Sequence, residues 1–149
     1  MSQEVLSAPH AIEYTYTRST GPIIGAFLTA LRDRRIVGVR AADGRVLVPP
    51  AEYDPVTSED LDEIVDVADA GVVTTWSWND TPLAGQPLSH PFAWALVQLD
   101  GADTGLLAAI DAGTPDVMRT GLRVRARWAA ERVGSIRDIE CFEPDGGGS

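Results

Sequence analysis

The sequence predicts a mainly β protein built on a small five-stranded barrel, with one helix and a hairpin ahead of it. Three observations predict it. From Gly71 to Phe142, short alternating or apolar runs recur between turn signals and close on Gly121-Leu-Arg-Val-Arg-Ala-Arg-Trp128. Between the third and fourth of these runs, Thr114-Pro115-Asp116 starts a helical turn. The chain has 149 residues, 44% of them apolar, which is enough for one core with a small appended unit.

Taken in order, residues 12–17 alternate Ile-Glu-Tyr-Thr-Tyr-Thr, a pattern that suits a short strand, although its partner is not evident. Ser19 or Thr20 can cap a helix with Pro22 in its first turn. Ile23, Ile24, Phe27, Leu28 and Leu31 follow at helical spacing and give that helix one apolar side. This side either packs on the protein's own core or docks another chain. Residues 36–39 and 46–48 read as a hairpin turned by Ala42-Asp43-Gly44 and stopped by Pro49 and Pro50. The acidic, loop-like stretch 51–60 then marks an internal boundary. Residues 1–60 form the N-terminal arm, helix and hairpin, 61–144 the barrel, and 145–149 a linker or tag-like tail ending Gly146-Gly-Gly-Ser149.

Within the barrel, residues 62–67 and 71–78 supply the first strand or strands, and 79–90 is a polar loop. Residues 92–99 and 106–110 are the next two strands, and 122–128 and 136–142 the last two. Thr114 is placed to cap the intervening helical turn. A barrel with a short helix between its third and fourth strands has the order of an OB-fold.

Composition excludes several functions. No apolar run approaches the roughly 18 residues of a membrane span, and the N-terminus lacks the basic start and apolar centre of an export signal, so a cytoplasmic location is expected. The single cysteine, Cys141, rules out an internal disulfide framework and a zinc site built on several thiolates. All twelve basic residues are arginine, so Schiff-base and P-loop chemistry, which need a lysine amine, cannot be run by this chain alone. The formal charge is −10, and between Arg45 and Arg119 there are thirteen acidic residues and no basic one. Nucleic acid is not an expected partner, because phosphate contact needs a basic footprint.

Candidate chemistry is sparse. Arg123, Arg125 and Arg127 fall at period two and share one strand face, where they are either solvated or hold carboxylates or nucleotide phosphates. His90 has no cysteine neighbour for a metal site and no serine or cysteine nucleophile in a recognisable elbow. Cys141 is flanked by acids, which disfavour a reactive thiolate. Trp76 and Trp78 share a strand face that is a candidate interface if it lies outside the barrel. No catalytic residue and no metal ligand set emerges.

Several short motifs, in this order and spacing, resemble an acyl-CoA-associated family labelled domain of unknown function 35. In that family a rubredoxin-like zinc ribbon precedes an OB-fold. The motifs include Ile36-Val-Gly-Val-Arg40, Val48-Pro-Pro50, Gly71-Val-Val-Thr-Thr75, His90-Pro91-Phe92, Leu96-Val-Gln-Leu-Asp100 and Cys141-Phe-Glu-Pro144. Where the family's ribbon carries paired cysteines, this chain has Arg40, Asp43, Asp54 and Thr57, which implies a degenerate, metal-free hairpin held by packing and hydrogen bonds. Asp100-Gly-Ala-Asp-Thr104, Asp111-Ala-Gly113 and Arg127-Trp-Ala-Ala-Glu-Arg132 are similar to segments of accessory domains that pair with thiolase-like steroid side-chain aldolases.

The resemblance implies a non-catalytic subunit whose thiolase-like partner cleaves a hydroxyacyl-CoA steroid, releasing propionyl-CoA and a ketone. The coenzyme A thioester is then a substrate of the complex, and this chain carries no cofactor. Ile24, Phe27, Leu28, Leu31, Trp76 and Trp78 are the expected partner contacts, and His90, Phe92, Arg123, Arg125 and Arg127 the candidate acyl-CoA contacts. The alternative is a scaffold that channels acyl-CoA within a thiolase or hydratase complex and is not required for the lyase step.

Overall fold

A computed structural model describes residues 21–145. The strand expected at residues 12–17, the Ser19 or Thr20 cap and the glycine tail lie outside the described residues. Helix α1 (Pro22–Arg32) instead starts from Gly21, whose φ of 88° suits glycine. Its exposed amides are met from far along the chain: Ile23 and Ile24 N–H donate to the Glu52 carboxylate at 3.0 and 2.8 Å. A carboxylate at this end also complements the helix dipole.

The apolar run that follows α1 forms β1 (Ile36–Arg40), and a turn through Gly44 returns it as β2 (Val46–Leu47). Residues 62–67 do not enter the barrel as expected. They form β3 (Glu63–Val67), paired with β1 along its length from Ile36↔Val67 to Arg40↔Glu63, in a sheet ordered β2-β1-β3. The physical reason is visible in β1, where Ile36, Val37, Gly38 and Val39 are all buried and suit a central strand flanked on both edges. Arg35–Asp66 and Arg40–Glu63 ion pairs match the two strands across the register. The chain passes from sheet to barrel at Ala68 and Asp69.

The barrel is closed in the order β4-β5-β6-β8-β7, with β4 (Ala70–Asn79), β5 (Phe92–Leu99), β6 (Leu106–Ile110), β7 (Arg123–Trp128) and β8 (Ile139–Pro144). Val73, Ala93, Ala95, Val97, Leu99, Leu106, Ile110, Val124 and Phe142 fill it, and the same core continues through Phe27 and Leu31 of α1. At Gly71 the backbone of Gln98 and Leu99 occupies the space a Cβ would need.

Two short turns depart from expectation. A 3₁₀ turn at Pro115–Val117 separates β6 from β7, but the Thr114 side chain makes no capping bond. The last strand begins at Ile139, because residues 136–138 form a second 3₁₀ turn closed by a capping box between Ser135 and Asp138. Asp138 is buried and accepts from the Val133, Gly134 and Ser135 amides, which hold its carboxyl below the ordinary value although burial pushes it up.

The hairpin is fastened to the barrel through the β5–β6 turn. Val46 N–H donates to Asp103 at 2.8 Å, while the Thr104 hydroxyl accepts from Val48 N–H and donates to Val48 C=O. At the hairpin tip Arg45 donates to Asp43 at 2.7 Å and lies 3.9 Å from buried Asp54. Asp54 in turn accepts from the Val56 and Thr57 amides. Arg40, Asp43, Asp54 and Thr57 are thus engaged in ion pairs and turn hydrogen bonds.

Candidate functional site

Closure of the barrel is uneven. β6 and β8 run parallel but pair only at Ile110↔Phe142, so their walls diverge on one side of that pair. The gap is a groove of about 420 Å³ lined by Trp94, Leu107, Ala109, Ile136, Cys141 and Phe142, among others. Leu107 is 63% exposed and Ile136 51% exposed, and Leu96, opposite Leu107 on β5, extends the apolar surface.

Beyond the closed end of the groove lies a charge network. Asp111, just after β6, is 2.9 Å from His90 Nε2 and accepts from Arg127 Nη1 at 2.9 Å. Arg127 also donates to Glu140 and Glu143, and Arg125 pairs with Glu143 at 3.2 Å. Burial pushes the Asp111 carboxyl up, yet the His90 and Arg127 hydrogen bonds outweigh it and hold the group below its usual value. Arg127 is correspondingly held fully charged. At the other end of β7, both forks of Arg123 meet Asp100, at 2.9 and 2.8 Å.

The period-two arginines therefore do share the outer face of β7, and each guanidinium is already met by carboxylates of neighbouring strands and turns. His90 joins them through Asp111. Phe92 does not, and its assignment as an acyl-CoA contact is corrected. It is fully buried with Leu88, Ala109 and Cys141 beneath the 80–91 loop, its ring edge-on to Trp94 at 5.1 Å. The same correction applies to Phe27 and Leu31 as partner contacts, since both are buried in the chain's own core. Ile24 and Leu28 are half-buried. Trp76 and Trp78 are also half-buried and pack against the barrel core rather than standing out from it, because a bulge between Val73 and Thr75 resets the alternation of β4.

The geometry disfavours Cys141 as a nucleophile. Burial pushes the Cys141 thiol up to about 12 despite the nearby Arg127 charge, so it is neutral at physiological pH. Among the described residues, no three His, Cys, Asp or Glu side chains are placed to hold a metal ion. No described helix is long and apolar enough to cross a membrane. Glu52, Asp111 and Asp138 are the functional or structural carboxylates that sequence reasoning missed. Asp111 carried a signal as part of the Asp111-Ala-Gly113 motif, and Asp138 carried one in the Ser135-Ile-Arg-Asp138 spacing of a capping box.

A closed five-stranded barrel in this order, with a 3₁₀ turn between its third and fourth strands, defines an OB-fold domain behind a small helix-bearing sheet. Residues 64–129 match the family described as "ChsH2, C-terminal OB-fold domain", and the chain resembles the OB-fold proteins of domain of unknown function 35. The chain is similar to a solved structure described as an Ltp2-ChsH2(DUF35) aldolase, with 25% identity and a TM-score of 0.60 over 89% of this chain and 98% of that one. It also shares its fold with a protein of unknown function of the same family from Sulfolobus solfataricus. That match has 19% identity and a TM-score of 0.62, over 85% of this chain and 87% of that one. No curated protein matches the sequence.

Proposed function

We propose that this chain is a non-catalytic accessory subunit of a thiolase-like acyl-CoA aldolase. The observation that carries the reading is its likeness, over nearly the full length of both chains, to the structure described as an Ltp2-ChsH2(DUF35) aldolase. The partner is then the catalytic subunit, and the reaction a retro-aldol cleavage of a hydroxyacyl-CoA steroid to propionyl-CoA and a ketone, in a cytoplasmic steroid-degradation route. Such a step needs a base for the hydroxyl proton and a stabiliser for the enolate. The interior of this barrel is filled by apolar side chains, and the arginines of β7 are paired with carboxylates, which suits a subunit that lends surface rather than reacting groups.

In this reading Ile24 and Leu28, with the accessible edges of Trp76 and Trp78, form the partner-facing surface, while His90, Arg123, Arg125 and Arg127 lie toward the coenzyme A thioester. Co-expression with a thiolase-like subunit, followed by size-exclusion chromatography, tests the reading. A stable mixed complex supports it, and separate elution of two folded proteins refutes it.

A further inference from the structure

We propose that the open seam between β6 and β8 binds a single-headed apolar anion, an elongated hydrocarbon body ending in one carboxylate. The lining of the groove comes from both sides of the barrel wall. Leu106, Ala108 and Phe142 belong to the core side, whereas Trp94, Ala109 and Cys141 belong to the outer cluster. The groove therefore cuts into the wall instead of lying on it, and an apolar body seated there meets carbon on both sides. Its volume, about 420 Å³, falls within the range of small-molecule sites.

The polar groups on the lining select the head. Arg137 lines the groove, and among the described residues its guanidinium makes no ion pair or hydrogen bond, unlike Arg123, Arg125 and Arg127. Gln86 lines it too. Its Oε1 accepts from Asn79 Nδ2 and from Leu83 N–H, both at 2.9 Å, so its amide NH₂ is left as a donor. Glu140, the carboxylate on the lining, is engaged by Arg127. One uncompensated cation and one fixed amide donor beside an apolar trough match a carboxylate on a hydrocarbon body. The net charge of −10 does not oppose this, because charges farther off than about 8 Å are screened at physiological salt.

The inference is independent of the accessory-subunit reading, since it concerns the chain by itself. Sodium dodecanoate, kept below its micelle concentration, is titrated into the full chain by calorimetry, with amide NMR shifts recorded in parallel. The expected result is one-to-one saturable binding with shifts confined to residues 85–86, 94, 106–109 and 136–142. Dodecanol should bind at least tenfold more weakly, and Arg137→Gln should weaken dodecanoate by about tenfold, as removal of a charge-assisted hydrogen bond does. Leu107→Glu, at an exposed position that leaves the core intact, should weaken it as well. Absence of saturable binding, equal affinity for dodecanol, indifference to both substitutions, or shifts centred elsewhere would each overturn the proposal.

Discussion

The Arg127 guanidinium on β7 donates to the Asp111 carboxylate at 2.9 Å and so ties β7 to the end of β6, a strand that is not its sheet neighbour. Because β8 lies between them and contributes Glu140 and Glu143 to the same guanidinium, one side chain clamps three strands where the barrel closes. Arg127→Gln should lower unfolding stability by about 1–2 kcal/mol, because it removes partly buried charge-assisted bonds. Arg123→Gln, which breaks an exposed pair, should cost less than about 1 kcal/mol. Urea denaturation of the two variants checks the ranking, and equal losses would count against the clamp.

Acid should loosen the same corner. Asp111 and Asp138 both have folded carboxyls held below their ordinary value. An unfolded aspartate titrates near pH ~3.9, so their stabilisation is complete above about pH 4 and fades as pH falls through the lower folded values. Stability measured between pH 7 and pH 2 should therefore drop at the acidic end, and Asp111→Asn should flatten part of that drop.

Cys141 should resist modification. Its thiol is buried and titrates at about 12, so an aromatic disulfide reagent at pH 8 should leave the folded protein unlabelled and label it fully in denaturant. Rapid labelling without denaturant would show that the 80–91 loop does not cover it.

Glu52→Ala should release the start of α1. Two helix amides lose their acceptor, and loss of a capping group costs about 0.5–2 kcal/mol. Hydrogen exchange should accelerate first at Ile23 and Ile24.

Thr104→Val keeps the shape of the side chain but removes the hydroxyl that both accepts from and donates to Val48. The hairpin should then loosen from the barrel, with about 1–3 kcal/mol lost for leaving partly buried backbone groups unmet. Exchange at Val46 and Val48 should rise while the β4–β5 amides stay protected.

Much of this arrangement could be read from residue order. The 3.6-residue spacing from Ile23 to Leu31 and the run from Ile36 to Val39 identify α1 and β1, and the alternation of Arg123 to Trp128 places the three arginines together. Pairing was harder to read. Nothing in Glu63–Val67 names β1 as its partner, since a short strand pattern is silent about which edge it meets. Alternation likewise cannot reveal whether a loop covers the outside of a barrel, and Phe92, a candidate acyl-CoA contact, is buried. The bulge in β4 turned Trp76 and Trp78 inward by one residue of register. Glu52 acts on helix amides it meets only through the fold and stands in no residue pattern of its own, whereas the Ser135-Ile-Arg-Asp138 spacing is that of a capping box. The arginine stripe was visible, but its satisfaction depends on Asp100, Asp111 and Glu143 from other segments.

The most direct measurement is lyase turnover of a hydroxyacyl-CoA steroid by this chain, by a thiolase-like subunit and by the two together. The accessory reading predicts no propionyl-CoA from this chain alone and efficient release only from the pair. Turnover by the isolated chain, or full activity of the thiolase-like subunit without it, would contradict the account.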